Sequence, residues 1–215
     1  MQKTKGEITK ERIYITAKEM FYNKGYKKTT MKDIADELDI SLGNLTYHFK
    51  TKDTIVINIF ADYLDNIYEF IWDKVDSSAD AYYKHFFVTI VFYKVILTNP
   101  NNKRFFGEIM KTKSFYKLLS DRISNIYQGF IQDYHLRVSP SQYKGILLAD
   151  FGARREVMLS YLEGTIKMPI EDLAILIFSN TSKLLGIHEK IIFKTSHNAY
   201  TASKQYDYSQ IKLLI

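Results

Sequence analysis

The chain has 215 residues and carries 30 Lys and Arg against 24 Asp and Glu, a formal net charge of +6; this length is ample for a buried core. It contains no cysteine, which excludes disulfides and Cys-ligated zinc. It has no apolar run approaching the ~20 residues of a membrane span and no signal-peptide pattern, so a soluble cytoplasmic protein with no membrane association is expected.

Only three prolines and nine glycines punctuate the chain, and the long stretches between them predict an all-α fold. Residues 1–8 read as a loose basic arm. Thr9 reads as the N-cap of the first helix, with Ile8 and Ile13 at the offsets of a hydrophobic staple. Ile13, Ala17, Met20 and Phe21 form its buried face, and Gly25 its stop. Thr30 caps a second helix beginning at Met31, with Asp33 completing a capping box, and Ile34, Ala35 and Leu38 make one apolar stripe. The chain leaves that helix at Asp39-Ile40, and Ser41 caps a third. Within the third helix Leu45 and Phe49, four apart, turn inward. Leu42, Gly43, Asn44, Thr46, Tyr47 and Lys50 remain outside, with His48 at the edge. Gly costs about 1 kcal/mol in a helix interior relative to Ala, so Gly43 on this face points to another backbone coming close. Two short helices joined by a tight turn, the second carrying an exposed polar and aromatic face, predict a helix-turn-helix reader of DNA.

Thr51 caps a fourth helix, expected from Lys52 to about Val75. A lysine in the first turn opposes the helix dipole unless an anion such as a phosphate sits there. Further helices are predicted from an N-cap at Ser78 to about Thr98, from about Lys103 to Lys111, from a cap at Ser114 to about Tyr134, from Ser139-Pro140 to Leu162 with a stop at Gly164, and from Pro169 to about Ile187. His188 to Ile215 reads as a further helix or two. The division expected is a DNA-binding domain over 1–53 and a helical ligand-binding and dimerisation domain over 54–215. The first 53 residues hold 11 Lys and Arg against 8 Asp and Glu, which fits attraction to phosphates. No phosphate-cradling, nucleophile-elbow, dinucleotide or metalloprotease motif is present. No enzymatic activity, cofactor or metal is expected.

The N-terminal quarter resembles the TetR family of bacterial transcriptional regulators. The resemblance rests on F-Y-N-K-G-Y (Phe21 to Tyr26), T-T-M-K-D-I-A (Thr29 to Ala35), S-L-G-N-L-T-Y-H-F (Ser41 to Phe49) and Lys52. The run G-N-L-T-Y-H-F-K-T-K looks like the multidrug-sensing branch. Two positions depart from the pattern: Thr46 stands where the family usually has Tyr, and Leu42 where a polar base reader often sits. The resemblance implies a homodimeric, ligand-responsive repressor that binds double-stranded DNA. Its DNA set is Thr29, Thr30, Ser41, Leu42, Gly43, Asn44, Thr46, Tyr47, His48 and Lys52; Thr29, Thr30, Tyr47, His48 and Lys52 would hold phosphates, while Leu42, Gly43 and Asn44 approach base edges. It also implies that the helices from Pro140 and from Pro169 pair with their copies in a second chain, and their surplus of apolar residues permits this. The aromatic content of 15%, much of it between Tyr63 and Tyr134, suits a pocket for a small apolar or aromatic effector, with Trp72, Phe92, Tyr93, Phe106 and Tyr127 as candidate liners and Glu108 or Glu163 as possible partners of a cationic one. Two alternatives stay open: a constitutive DNA-binding member without inducer, and a helical small-molecule binder with a vestigial DNA head.

Overall fold

The computed structural model describes residues 3–75, 79–112 and 114–215, the side chains of 114–118 excepted. Ten helices and no strand occur among the described residues, as the composition predicts. The helix-turn-helix forms as expected from its local signals. The second helix, α2 (Met31–Glu37), starts on a capping box between Thr30 and Asp33, and α3 (Leu42–His48) starts with the Ser41 hydroxyl accepting from the Asn44 N–H. Asp39 turns the chain between them at φ 53°, a left-handed conformation that Asp tolerates better than most residues. Leu45 and Phe49 are buried, each contributing about 2–3 kcal/mol of apolar burial.

The first helix, α1 (Lys5–Lys24), begins a turn earlier than expected. Its cap is Thr4, which forms a capping box with Glu7, so Lys5 to Ile8 are helical rather than a loose arm. The reciprocal bonds at Thr4 satisfy two free N–H groups, whereas the Thr9 hydroxyl donates backward to the Lys5 carbonyl. Gly25 ends α1 at φ 90°, a conformation that favours glycine.

The long fourth helix, α4 (Lys52–Lys74), begins in the head and is buried along Ile55, Ile59, Tyr63, Ile67 and Ile71. At its far end the Ser78 cap expected for the next helix lies outside the described residues; Asp80 caps α5 (Ala81–Thr98) by accepting from the Tyr83 N–H. The body is built around α5, which packs on α4, α9 and α10 and on α6 (Pro100–Met110). Mostly apolar around its circumference, α5 has every residue from Tyr82 to Tyr93 except Tyr83 buried, Lys84, His85 and Thr89 among them, as a central helix must be. α6 starts three residues before the expected Lys103, because the Asn99 side chain accepts from two N–H groups ahead of Pro100 at the first helical position.

α7 spans Ser114–Asp133, the Ser114 side chain lying outside the described residues. α8 (Pro140–Leu162) carries the expected Ser139 cap, now part of a capping box with Gln142. α9 (Ile170–Leu185) ends two residues before the expected Ile187, at Gly186 in the left-handed region. Of the one or two helices expected over His188 to Ile215, one forms, α10 (Glu189–Ser203), and the chain after it is not helical. It straps across the body instead: Tyr208, Ile211, Leu213 and Leu214 are buried, and the Tyr206 and Tyr208 rings pack edge-on against Phe70 of α4.

Candidate nucleic-acid interface and effector cavity

On α3 the outward face is open. Tyr47 is 84% exposed and Leu42 47% exposed, and Ser41, Gly43, Asn44 and Lys50 are exposed beside them. Thr46 and His48 are half-buried; the Thr46 hydroxyl donates to the Gly43 carbonyl, and the His48 ring lies edge-on to Tyr47. A Cβ at Gly43 would meet only the Ser41 hydroxyl, 3.8 Å away. Nothing inside the protein therefore requires glycine at this position. Thr30 is exposed at the start of α2.

Two members of the expected DNA set are turned inward. Thr29 is fully buried, its hydroxyl donating to the Gly25 carbonyl at 2.8 Å, so its side chain cannot reach a phosphate. The Lys52 ammonium donates to the Tyr26 and Thr29 carbonyls, each at 2.7 Å, and sits 3.9 Å from the Tyr26 ring centroid. Burial pulls its pKa below the ordinary value, while Asp53, Glu108 and Asp33 oppose that fall. Lys52 thus ties the turn after α1 to the start of α4, a use for a first-turn lysine that needs no phosphate.

In the body, a cavity of about 50 Å³ lies between α4, α5, α7 and α8. Phe92, Tyr93, Leu64, Leu119 and Phe151 line it with His85 and Arg154. Of the five candidate liners, Phe92 and Tyr93 face this space. Phe106 is instead packed among Phe60, Phe92 and Tyr93 in the core. Tyr127 is fully buried and belongs to a polar knot behind the cavity. Trp72 is 47% exposed and lines a separate outer cleft of about 390 Å³ with Tyr68, Arg122, Phe130 and Asp133.

The polar knot was not foreseen, although Asp150 and Arg154, four apart in an apolar helix, were its signal in the sequence. Arg154 Nη2 donates to Asp150 Oδ1 at 3.1 Å, to Tyr127 at 2.9 Å and to Thr181 at 3.2 Å. The Tyr127 and Thr181 hydroxyls both donate to the Asp150 carboxylate. Burial alone lowers the pKa of Arg154, but Asp150, Tyr127 and Tyr93 outweigh it and hold the guanidinium charged. His85, equally unforeseen, borders both the cavity and the cleft. Its Nδ1 is 2.5 Å from the Tyr68 hydroxyl. Burial, with Arg154 and Arg122 adding to it, brings His85 down to about 3, so the ring is neutral at pH 7.

A family model for bacterial regulatory proteins of the tetR family matches residues 13–59. Over 162 residues the chain is 30% identical to IcaR of Staphylococcus aureus (strain Newman), the negative transcriptional regulator of the biofilm operon icaADBC, covering 63% of this chain and 87% of that one. The chain belongs to the TetR family. It is also 30% identical, over 136 residues, to the transcriptional regulator QacR of Staphylococcus aureus (strain Mu50 / ATCC 700699), covering 59% of this chain and 67% of QacR. In fold, this TetR-family chain is similar to RolR in complex with resorcinol, with a TM-score of 0.63 at 12% identity over 89% of this chain and 94% of RolR. The TM-score is 0.58, at 17% identity over 82% and 92%, to Thermus thermophilus FadR in complex with lauroyl-CoA. TetR-family proteins are DNA-binding transcriptional regulators, and no helix among the described residues is long and apolar enough to cross a membrane.

Head and body of this TetR-family chain meet through α6. Arg104 donates to the Tyr22 and Asn23 carbonyls at the end of α1, at 2.5 and 3.1 Å, placing a cation at the negative end of that helix. Glu108 accepts from the Lys27 N–H at 2.8 Å, and its carboxylate lies 3.0 Å from where a Cβ on Gly25 would stand. Glu108 is therefore part of the joint. Glu163 pairs with Lys111 on the surface. The other end of α6 is held by α8: Arg155 donates to the Met110 carbonyl at 3.1 Å.

Proposed function

We propose that the chain is a ligand-responsive repressor that binds a palindromic operator as a homodimer and is released by a small apolar or aromatic effector. The observation that carries the DNA half of this reading is the outward face of α3, where Tyr47, Asn44 and Leu42 stand free around an unobstructed Gly43. On this reading Leu42, Gly43 and Asn44 approach base edges. Thr30, Ser41, Thr46, Tyr47 and His48 hold the flanking phosphates, joined by the exposed Lys50 in place of Lys52. The working division remains a head over 1–53 and a body over 54–215, with α4 continuous between them. Leu148 of α8 and Leu176 and Leu184 of α9 are exposed in the single chain, which supports these two helices as the face that a second copy covers.

Fluorescence anisotropy of the purified protein on the intergenic DNA upstream of its own gene, against an unrelated duplex at moderate salt, tests the reading. Saturable binding to the first duplex alone is the expected result. Equal, weak binding to both is the outcome that would count against self-regulation and send the search for an operator elsewhere.

A further inference from the structure

The inner cavity of about 50 Å³ is too small for an aromatic ring; a cavity near 150 Å³ is needed for one of benzene size. The outer cleft of about 390 Å³ is large enough but shallow. The two share one wall residue, His85, whose ring packs against Tyr68, Phe130 and Phe178 and is hydrogen-bonded through Nδ1 to the Tyr68 hydroxyl alone; Nε2 has no hydrogen-bond partner among the described residues. Turning this one side chain would join them into a single site with aromatic walls, Trp72, Tyr68 and Phe130 outside and Phe92, Tyr93 and Phe151 inside.

The charges around the inner end decide what it accepts. Arg154 is matched by Asp150 in the polar knot, and both Asp150 oxygens already accept from Arg154, Tyr127 and Thr181. The neutral His85 adds no charge. A carboxylate entering here would leave a buried negative charge unmatched, and an ammonium a positive one, and either is strongly disfavoured. Hydrogen-bonding capacity does remain, at His85 Nε2 and at Arg154 Nη1, whose one bond, to the Tyr93 hydroxyl, is long at 3.4 Å.

We infer that the joined site takes a ligand whose buried end is an uncharged aromatic ring bearing a hydrogen-bonding group, with any charge on the ligand left in the outer cleft. This rests on the ligand-responsive reading above and narrows it to a chemical class.

Three probes of one ring size and different charge test it at pH 7: benzyl alcohol, benzoate and benzylammonium. Each is titrated into the full-length protein by calorimetry, and by the fluorescence of Trp72, the one tryptophan of the chain. Benzyl alcohol is expected to bind at least tenfold more tightly than either ion. Val88→Phe, which fills the inner cavity, is expected to abolish that binding. Asp150→Asn leaves Arg154 unmatched and is expected to shift the preference toward benzoate by tenfold or more. If that variant does not fold, the double change Asp150→Leu with Arg154→Met removes the pair without a net charge change and should keep the preference for benzyl alcohol. The inference is overturned by a charged probe binding as well as benzyl alcohol, by binding that survives Val88→Phe, or by no probe binding. Adding each probe to the protein bound to its DNA separates the two levels. A charged probe that binds inside and releases DNA defeats this inference alone; benzyl alcohol that binds as expected but leaves DNA affinity unchanged counts against ligand response instead.

Discussion

Gly43 is the residue whose role can be tested with least ambiguity, because a side chain there would meet open space inside the protein. Gly43→Leu is expected to leave thermal stability within about 0.5 kcal/mol of the parent. It should lower operator affinity roughly 10³-fold, to the level of non-specific binding; anisotropy and a melting curve on the same sample read both. His85 makes a different prediction. Its folded pKa of about 3 lies below the ordinary 6.5, so between those values the unfolded chain binds more protons. Stability should therefore be unaffected above about pH 7 and fall as pH drops through 6.5, by about 2 kcal/mol at pH 5. His85→Gln should flatten that part of the profile, and an unchanged pH dependence of melting would show that another group dominates it. Roles at this scale were only partly legible in the sequence. The caps at Thr30 and Ser41 follow from local rules, but that Thr29 is sealed in and Lys52 bent back onto two carbonyls depends on how α1 and α4 pack.

Among the elements, the start of α4 shows how a side chain can serve an end other than the one its position suggests. Lys52→Ala removes two short charge-assisted bonds and a ring contact, and is expected to destabilise the protein by about 1–3 kcal/mol. The salt dependence of DNA binding should change little, because phosphate contacts set that slope; a loss of about one unit in slope with stability unchanged would return Lys52 to the phosphate set. Helix ends were legible wherever a capping side chain and its partner lie within one turn, as at Ser139 with Gln142. They were missed where two candidate caps compete, as Thr4 and Thr9 do, and where a glycine signal was passed over, as at Gly186. The strap over 204–215 could not be read from periodicity, since its buried residues are spaced by the surfaces of α4 and α5 that they cover rather than by a helical repeat.

For the whole molecule, the exposed Leu148, Leu176 and Leu184 are expected to be covered in a dimer. Leu176→Glu with Leu184→Glu should give a monomer by sedimentation that keeps its helical circular dichroism and loses most of its operator affinity, since each half-site would then be bound without its partner. A variant that remains dimeric would place the interface elsewhere. The all-α class and the reading head were visible in the sequence because both follow from local spacing. The inner cavity and the outer cleft were not, because the cavity arises where four helices converge and His85 separates it from the cleft.

On the ligand-responsive reading proposed above, the Lys52 bonds bear on how much movement of the body would reach the head. They hold the first turn of α4 to the turn after α1, so on that reading these two parts of the head would move with the helix as one piece, against the bonds that Arg104 and Glu108 of α6 make to the end of α1 and the turn after it. A helix of 23 residues is about 35 Å long, so pivoting it by about 5° at its far end carries its head end through about 3 Å. In a symmetric pair of chains the two-fold axis would repeat that arc on the other side, and heads set to grooves about 34 Å apart would fall out of step after a displacement of a few ångströms at each.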